Sequence, residues 1–399
     1  MNFVLSDRVF PEILAWGEEL AAIRHDVHST PELKFDTPKT VARIVKHLTD
    51  WGITVDTDMV KGGVIAVIDG TKPGKTVALR ADIDALPMPD ATTNTWKSTH
   101  EGKAHACGHD GHQTWLMGAL RYLRAHNDFA GRIVGIFQPA EEIAEGAQAV
   151  IDAGVLAKYD VKEIYGAHTE PLLDKGTFGF RVGALQAASD SFWVTVKGVG
   201  CHGGRPHLGV DPIPVGGQLI NALQTLVSRK LNPVDTGVVS ICSVNAGSFG
   251  TPNVIPPVLT MSGTVRTFLP EIRDLAEENI RAMVTGIAAA NGCTVELVYD
   301  RMIGSVINGE EQTIAAHEVT KALLGEDNVR IIRPFMSSED FSEYLNRIPG
   351  AIIRVGIRDE EHQVSLHNQQ MDFNDEVLPV AVSVVANMAV RRLEALAAR

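Results

Sequence analysis

Short β-branched runs alternate with longer amphipathic stretches through most of the chain. "VIAVID", "TVALRAD", "RIVGIFQ" and "EIYGAH" are continuous enough in apolar residues to be strands of a buried sheet. "GHQTWLMGALRYLRAH" and "AEGAQAVIDAG" carry helical periodicity between them. Strands separated by helices predict an α/β layer. Near residue 186 the texture changes. "SDSFWVTVKG" alternates apolar and polar positions, and the helix "DPIPVGGQLINALQTLVSR" follows, with proline at its start. The strands "TGVVSICSVNAG" and "VLTMSGTVRTF", the helix "PEIRDLAEENIRAMVTGIAAANG" and the strand "CTVELVYD" complete a β-α-β-β-α-β order. That order predicts a ferredoxin-like α+β unit over residues 186–299. The unit is inserted into an α/β domain that occupies 1–185 and resumes over 300–399. The closing helix, "DEVLPVAVSVVANMAVRRLEALAAR", is expected to pack back on the α/β domain.

Composition narrows the function classes. The 399 residues include 36 Lys plus Arg against 49 Asp plus Glu, a net charge of −13. Binding to a phosphate backbone needs a basic face, so nucleic acid is excluded as a partner. The N-terminal stretch lacks the pattern of a signal peptide, and the longest apolar runs are broken by polar residues and too short to span a bilayer. No membrane partner is expected, and the chain reads as cytoplasmic. Cys107, Cys201, Cys242 and Cys293 are too widely spaced for a disulfide framework. Cys242 and Cys293 read as small buried thiols in apolar runs. Only Cys107 has neighbours suited to a metal.

Those neighbours lie in "HACGHDGH", residues 105–112, where three histidines, a cysteine and an aspartate fall within eight positions. Thiolate and neutral imidazole are preferred ligands of zinc-like ions. Further donors end strand-like runs: Asp82 and Asp84 in "RADIDALP", Glu141 and Glu142 in "QPAEE", His168 in "GAHTEP" and His367 in "SLHNQQ". Ligands of open α/β sheets collect at the carboxyl ends of strands. Cys107, His109, a glutamate, His168 and His367 can therefore meet, and five donors suit two ions sharing a solvent molecule. As successive residues of an extended segment, the paired glutamates are expected to point their side chains opposite ways. One then binds metal and the other faces water as a general base. "GVGCHG", residues 198–203, fits a dinucleotide glycine pattern, but prolines stand where its helix should open, and the nucleotide reading is dropped.

Together these motifs resemble the metal-dependent amidohydrolases of the M20 peptidase family, in the branch of hippurate hydrolases, N-acyl-amino-acid amidohydrolases and indole-acetyl-amino-acid hydrolases. The resemblance runs from "RHDVHSTPEL" through "LRADIDALPM", "GKAHACGHDGH", "FQPAEE", "GAHTEP", "PNVIP", "GTVRTF" and "SEDF" to "LHNQQMDFNDEVLP". It implies a zinc-peptidase-like catalytic domain with an inserted dimerisation or lid domain, and a homodimer or dimer of dimers. It places the ligands of two divalent ions (Mn²⁺, Zn²⁺ or Co²⁺) on Cys107, His109, Glu142, His168 and His367. The catalytic glutamate falls on Glu141 and an oxyanion-stabilising histidine on His202, which in related enzymes comes from the partner subunit. Asn253 and Arg266 are implied contacts to the substrate's polar groups, and Asp84 orients a ligand from behind it. The implied reaction cleaves a small N-acyl amino acid into a carboxylate and a free amino acid. A different C–N substrate would share every motif, whereas a catalytically silent metal-binding protein has no use for the second glutamate. Thr169 and Glu170 depart from the Asn-Trp common in the family, a change that bears on the acyl pocket rather than on the ligands.

Overall fold

The computed structural model describes residues 10–398. Residues 1–9, part of the stretch read as lacking a signal peptide, lie outside the described residues. Two compact units emerge. The first comprises the chain up to Gly183, Ile307–Arg333 and the chain from Asp340 onward; the second comprises Ala184–Val306 with Pro334–Glu339.

The first unit is built on an eight-stranded sheet in the order Thr54–Asp56, Val64–Asp69, Ala130–Gln138, Lys72–Asp82, Val161–Asp174, Gly350–Arg358, Phe178–Phe180, Val329–Ile331. The central pairings, Lys72–Asp82 with both Ala130–Gln138 and Val161–Asp174, and Val161–Asp174 with Gly350–Arg358, are parallel. Their near-continuous burial follows from helices covering the faces. The closing helix, Leu378–Ala397, buries residues on nearly every side, as does His109–Ala125. Both join one core with the sheet through Trp115, Leu120, Phe137, Val382 and Met388. No helix among the described residues is long and apolar enough to cross a membrane.

The strand read as "EIYGAH" runs on to Asp174, because its pairing with Gly350–Arg358 continues past His168 to Glu170 and resumes at Asp174. His168 therefore sits within a strand, beyond the point where pairing with Lys72–Asp82 ends at Arg80 and Gly166.

The second unit is an antiparallel sheet ordered Gly237–Ala246, Val258–Thr267, Ala188–Lys197, Thr294–Ile303. With the helices Pro212–Arg229 and Pro270–Ala290 it has the connectivity of a ferredoxin-like fold. Phe192, Val194 and Val196 face Leu219, Leu223, Ile280 and Val284, while the intervening Trp193 is exposed, which is the alternation of a half-covered sheet. Asp211 caps the first helix by accepting from the Ile213 N–H at 2.9 Å. The last strand carries this sheet to Ile303, beyond residue 299. All four cysteines are free, and Cys242 is exposed rather than buried, because it begins the half of the edge strand Gly237–Ala246 that is exposed at every residue.

Candidate metal centre

Four segments of the first unit converge. Cys107 and His109 flank Gly108, whose left-handed backbone (φ +86°) caps the helix His109–Ala125. A Cβ at Gly108 would lie 2.7 Å from the Thr169 hydroxyl, so glycine is required for both reasons. His168 comes from the strand Val161–Asp174, the glutamates from the turn after Gln138, and His367 from the loop after Gly350–Arg358. His367 is itself left-handed (φ +59°), and its backbone N–H donates to the Ala106 carbonyl at 2.8 Å.

The donor atoms lie close together, with Cys107 at the centre of two sulfur–imidazole hydrogen bonds. Cys107 Sγ is 3.3 Å from His367 Nε2 and 3.6 Å from His168 Nε2. Glu142 reaches His367 Nε2 at 3.6 Å and His109 Nε2 at 3.8 Å. Two ligands of one tetrahedral ion, each roughly 2.0–2.3 Å from it, stand roughly 3.3–3.8 Å apart. The separations fit.

Tautomers strengthen the fit. His109 Nδ1 donates to the Asp84 carbonyl at 2.8 Å, so a neutral ring carries its lone pair on Nε2. That buried nitrogen has no hydrogen-bond partner, yet Asp82, Glu142 and Glu141 stand 3.7, 3.8 and 4.0 Å away. Glu142 Oε1 is likewise unpartnered. Burial opposes charge on His109, but the Asp82 carboxylate and Cys107 outweigh it and hold the ring well above the usual histidine range, so its Nε2 calls for positive charge, either a proton or a metal ion in its place. His168 Nδ1 donates to its neighbour's carbonyl at 2.8 Å, which again leaves Nε2 as a ligand atom. Burial, helped by Arg354, holds His168 well below the usual histidine range, in the neutral form a metal needs.

The acidic groups respond to the same crowding. Burial pushes the Glu142 carboxyl up to about 7; His109 opposes the rise, while Asp84 and Asp82 add to it. Burial and then Glu142 push the Cys107 thiol up. A bound cation reverses both, because a coordinating thiol is deprotonated outright.

Glu141 and Glu142 are not in an extended segment. The strand ends at Gln138, Ala140 turns left-handed, and Glu141–Ile143 form a single 3₁₀ turn. Both carboxylates consequently approach His109 instead of pointing to opposite faces. Asp84 fixes this turn, its carboxylate accepting the backbone N–H of Glu141 at 3.0 Å and of Glu142 at 3.3 Å. It thus supports His109 with its carbonyl and the glutamates with its side chain.

The sequence offers Asp82 as a further donor and leads one to expect His105 and His112, which flank the ligands, to hydrogen-bond behind them, to partners it does not specify. Asp82 accepts from His112 Nδ1 at 2.5 Å and from Arg80 at 2.6 Å. The other His112 nitrogen accepts the Thr169 N–H at 3.0 Å. The dyad therefore braces the strand that carries His168. The signals were its spacing: Asp82 lies two residues before Asp84, and His112 three after His109, one helical turn on. His105, expected to hydrogen-bond behind the ligands, has no partner at either ring nitrogen, and burial drives its pKa down to about 3.

In the second unit, His202 lies in a two-stranded ribbon of Cys201–His202 with Val254–Ile255, and at its end the Gly203 N–H donates at 2.8 Å to the carbonyl of Asn253, in the turn before Val254. The side chains of His202 and Asn253 are exposed. His202 Nδ1 accepts the Gly204 N–H at 2.9 Å, so a neutral ring keeps its proton on Nε2. Arg266 is half-buried on the strand Val258–Thr267 and donates to the Thr264 hydroxyl and the Val265 carbonyl. Glu170, buried in the first unit, accepts from the Leu172 N–H at 3.1 Å.

Residues 78–391 match the description Peptidase family M20/M25/M40. The chain is 38% identical to a hippurate hydrolase of Campylobacter jejuni, over 97% of this chain and 100% of that protein. It is 39% identical to an N-acetylcysteine deacetylase of Bacillus subtilis, over 95% and 98% of the two chains. A crystal structure of a dinuclear metal-binding peptidase of the M20 family from Bacillus subtilis has the same fold, with a TM-score of 0.84 at 36% identity. It covers 96% of this chain and 99% of its own.

Proposed function

The chain belongs to peptidase family M20/M25/M40, and from that premise we propose that it is a two-metal amidohydrolase cleaving N-acyl amino acids. The observation that carries the reading is the buried His109 Nε2, unpartnered and facing three carboxylates. Cys107, His109, Glu142, His168 and His367 would hold two divalent ions, of manganese, zinc or cobalt. When bound, such ions polarise the amide carbonyl and lower the pKa of the attacking water.

The remaining work belongs to side chains of this protein. Glu141 takes the proton from the water and returns it to the leaving amine, so that the C–N bond breaks with a neutral amine departing. Asp84 keeps Glu141 in place through its backbone N–H. His202 offers its Nε2 proton to the oxyanion that develops on the amide oxygen, an interaction strongest in the transition state. Asn253 and Arg266 contact the polar groups of the amino-acid half of the substrate. The protein works as a cytoplasmic homodimer or dimer of dimers, in which His202 is supplied across the subunit interface.

The test is a substrate panel. Metal-loaded protein should release free amino acid from acetyl, benzoyl or indole-acetyl amino acids with kcat/KM at least about tenfold above dipeptides, carbamoyl amino acids and aryl amides, a margin that a fitted acyl pocket provides. Hydrolysis confined to one of the latter classes would move the substrate assignment and leave the reaction type standing. No hydrolysis of any panel member with any of the three ions would overturn the reading.

A further inference from the structure

Helix Gly17–His28 contributes no ligand, yet its Arg24 is fully buried. The guanidinium grips Asp375 with two parallel bonds, Nε to Oδ1 at 2.8 Å and Nη2 to Oδ2 at 2.9 Å. Its third nitrogen reaches Asp110 at 3.5 Å and Asp372 at 3.7 Å. Trp96 and Phe373 close over it at 5.3 and 5.9 Å. One helical turn on, His28 joins Asp110 at 2.7 Å.

These carboxylates sit beside the ligands. Asp110 directly follows His109 in the first turn of its helix, and Asp372 and Asp375 lie at the far end of the loop that carries His367. His367 holds a left-handed backbone that a non-glycine residue adopts only when its surroundings impose it. We infer that Arg24 is a positioning residue of the metal centre, clamping the His109 helix and the His367 loop to one guanidinium so that their imidazoles meet. The inference rests on the two-metal reading above. A lysine cannot replace it: an ammonium is a point charge, without the planar fork that holds Asp375 while a third nitrogen faces Asp110 and Asp372.

The experiment measures Zn²⁺ affinity of chelator-stripped full-length protein by competition with a chromophoric chelator, with near-UV circular dichroism as the check on folding. Backbone hydrogen exchange of residues 366–376 is followed on the same samples. Arg24→Lys should bind Zn²⁺ roughly 10–100-fold more weakly, the usual effect of removing a group that orients ligands, and exchange faster in that loop. At saturating Zn²⁺ its turnover should approach wild type. A folded Arg24→Lys protein with wild-type Zn²⁺ affinity, even one of lower thermal stability, would overturn the inference. If Arg24→Lys does not fold, Asp372→Asn decides, because it removes the partly exposed carboxylate that faces Arg24 at 3.7 Å. His362→Gln is the control for that carboxylate's other pairing, to His362 at 3.8 Å. Weaker Zn²⁺ binding in Asp372→Asn alone supports the clamp, and unchanged binding, or equal weakening in both, overturns it. Wild-type protein that takes up no Zn²⁺, Mn²⁺ or Co²⁺ would instead sink the two-metal reading and the clamp with it.

Discussion

Glu141→Gln should yield a protein that keeps its metal ions and loses at least ~10²-fold in kcat, the lower bound for a removed general base. Glu142→Gln should do the opposite and weaken metal binding first. The contrast rests on position within one 3₁₀ turn. Glu142 lies within 3.8 Å of His109 Nε2 and 3.6 Å of His367 Nε2, between two ligand-bearing segments, whereas Glu141 approaches His109 at 4.0 Å. An amide at 141 keeps the shape and the Asp84 contact, which is to the backbone, but cannot accept a proton. Elemental analysis beside steady-state kinetics separates the two variants. Equal metal loss in both, with no loaded and inactive enzyme, would end the division of labour.

His202→Ala should reduce kcat by roughly 10²–10³-fold, as loss of an oxyanion donor does, with fold and metal content intact. His202 suits the role because the Gly204 N–H occupies Nδ1 and leaves Nε2 as the donor. It belongs to the second unit, and every proposed ligand belongs to the first. If His202 comes from the partner subunit, mixing His202→Ala with Glu141→Gln restores part of the activity, because one site of the heterodimer has both residues intact. Demonstrated subunit exchange without recovery would count against the trans arrangement. Near-normal turnover of His202→Ala would remove the residue from the chemistry.

Periodicity made most of the architecture legible. Buried strands such as Val64–Asp69 announce themselves as unbroken apolar runs, and Ala188–Lys197 by its alternation. The cluster of Cys107 and His109 was legible because no core or loop needs such chemistry at such density. What escaped depends on long-range contact. The 3₁₀ turn at Glu141 follows from a left-handed Ala140, which no local pattern signals. The strand through His168 extends to Asp174 because a partner distant in sequence pairs with it. His112 was expected to hydrogen-bond behind the ligands, but that its partner is Asp82, 30 residues away and 2.5 Å from it, only the fold reveals. Arg24 lies 86 residues from Asp110 and 351 from Asp375, so its clamp has no signature at short range.

The central claim is that two divalent ions at this cluster make the chain a hydrolase, and metal content measured against turnover tests it most directly. Purified protein should carry two equivalents of divalent metal per chain. Chelation should remove metal and activity together, re-addition should restore both, and Cys107→Ala should lower occupancy and turnover in parallel. Full amide hydrolysis by a preparation shown by elemental analysis to be metal-free, or unchanged occupancy and turnover in Cys107→Ala, would contradict the account.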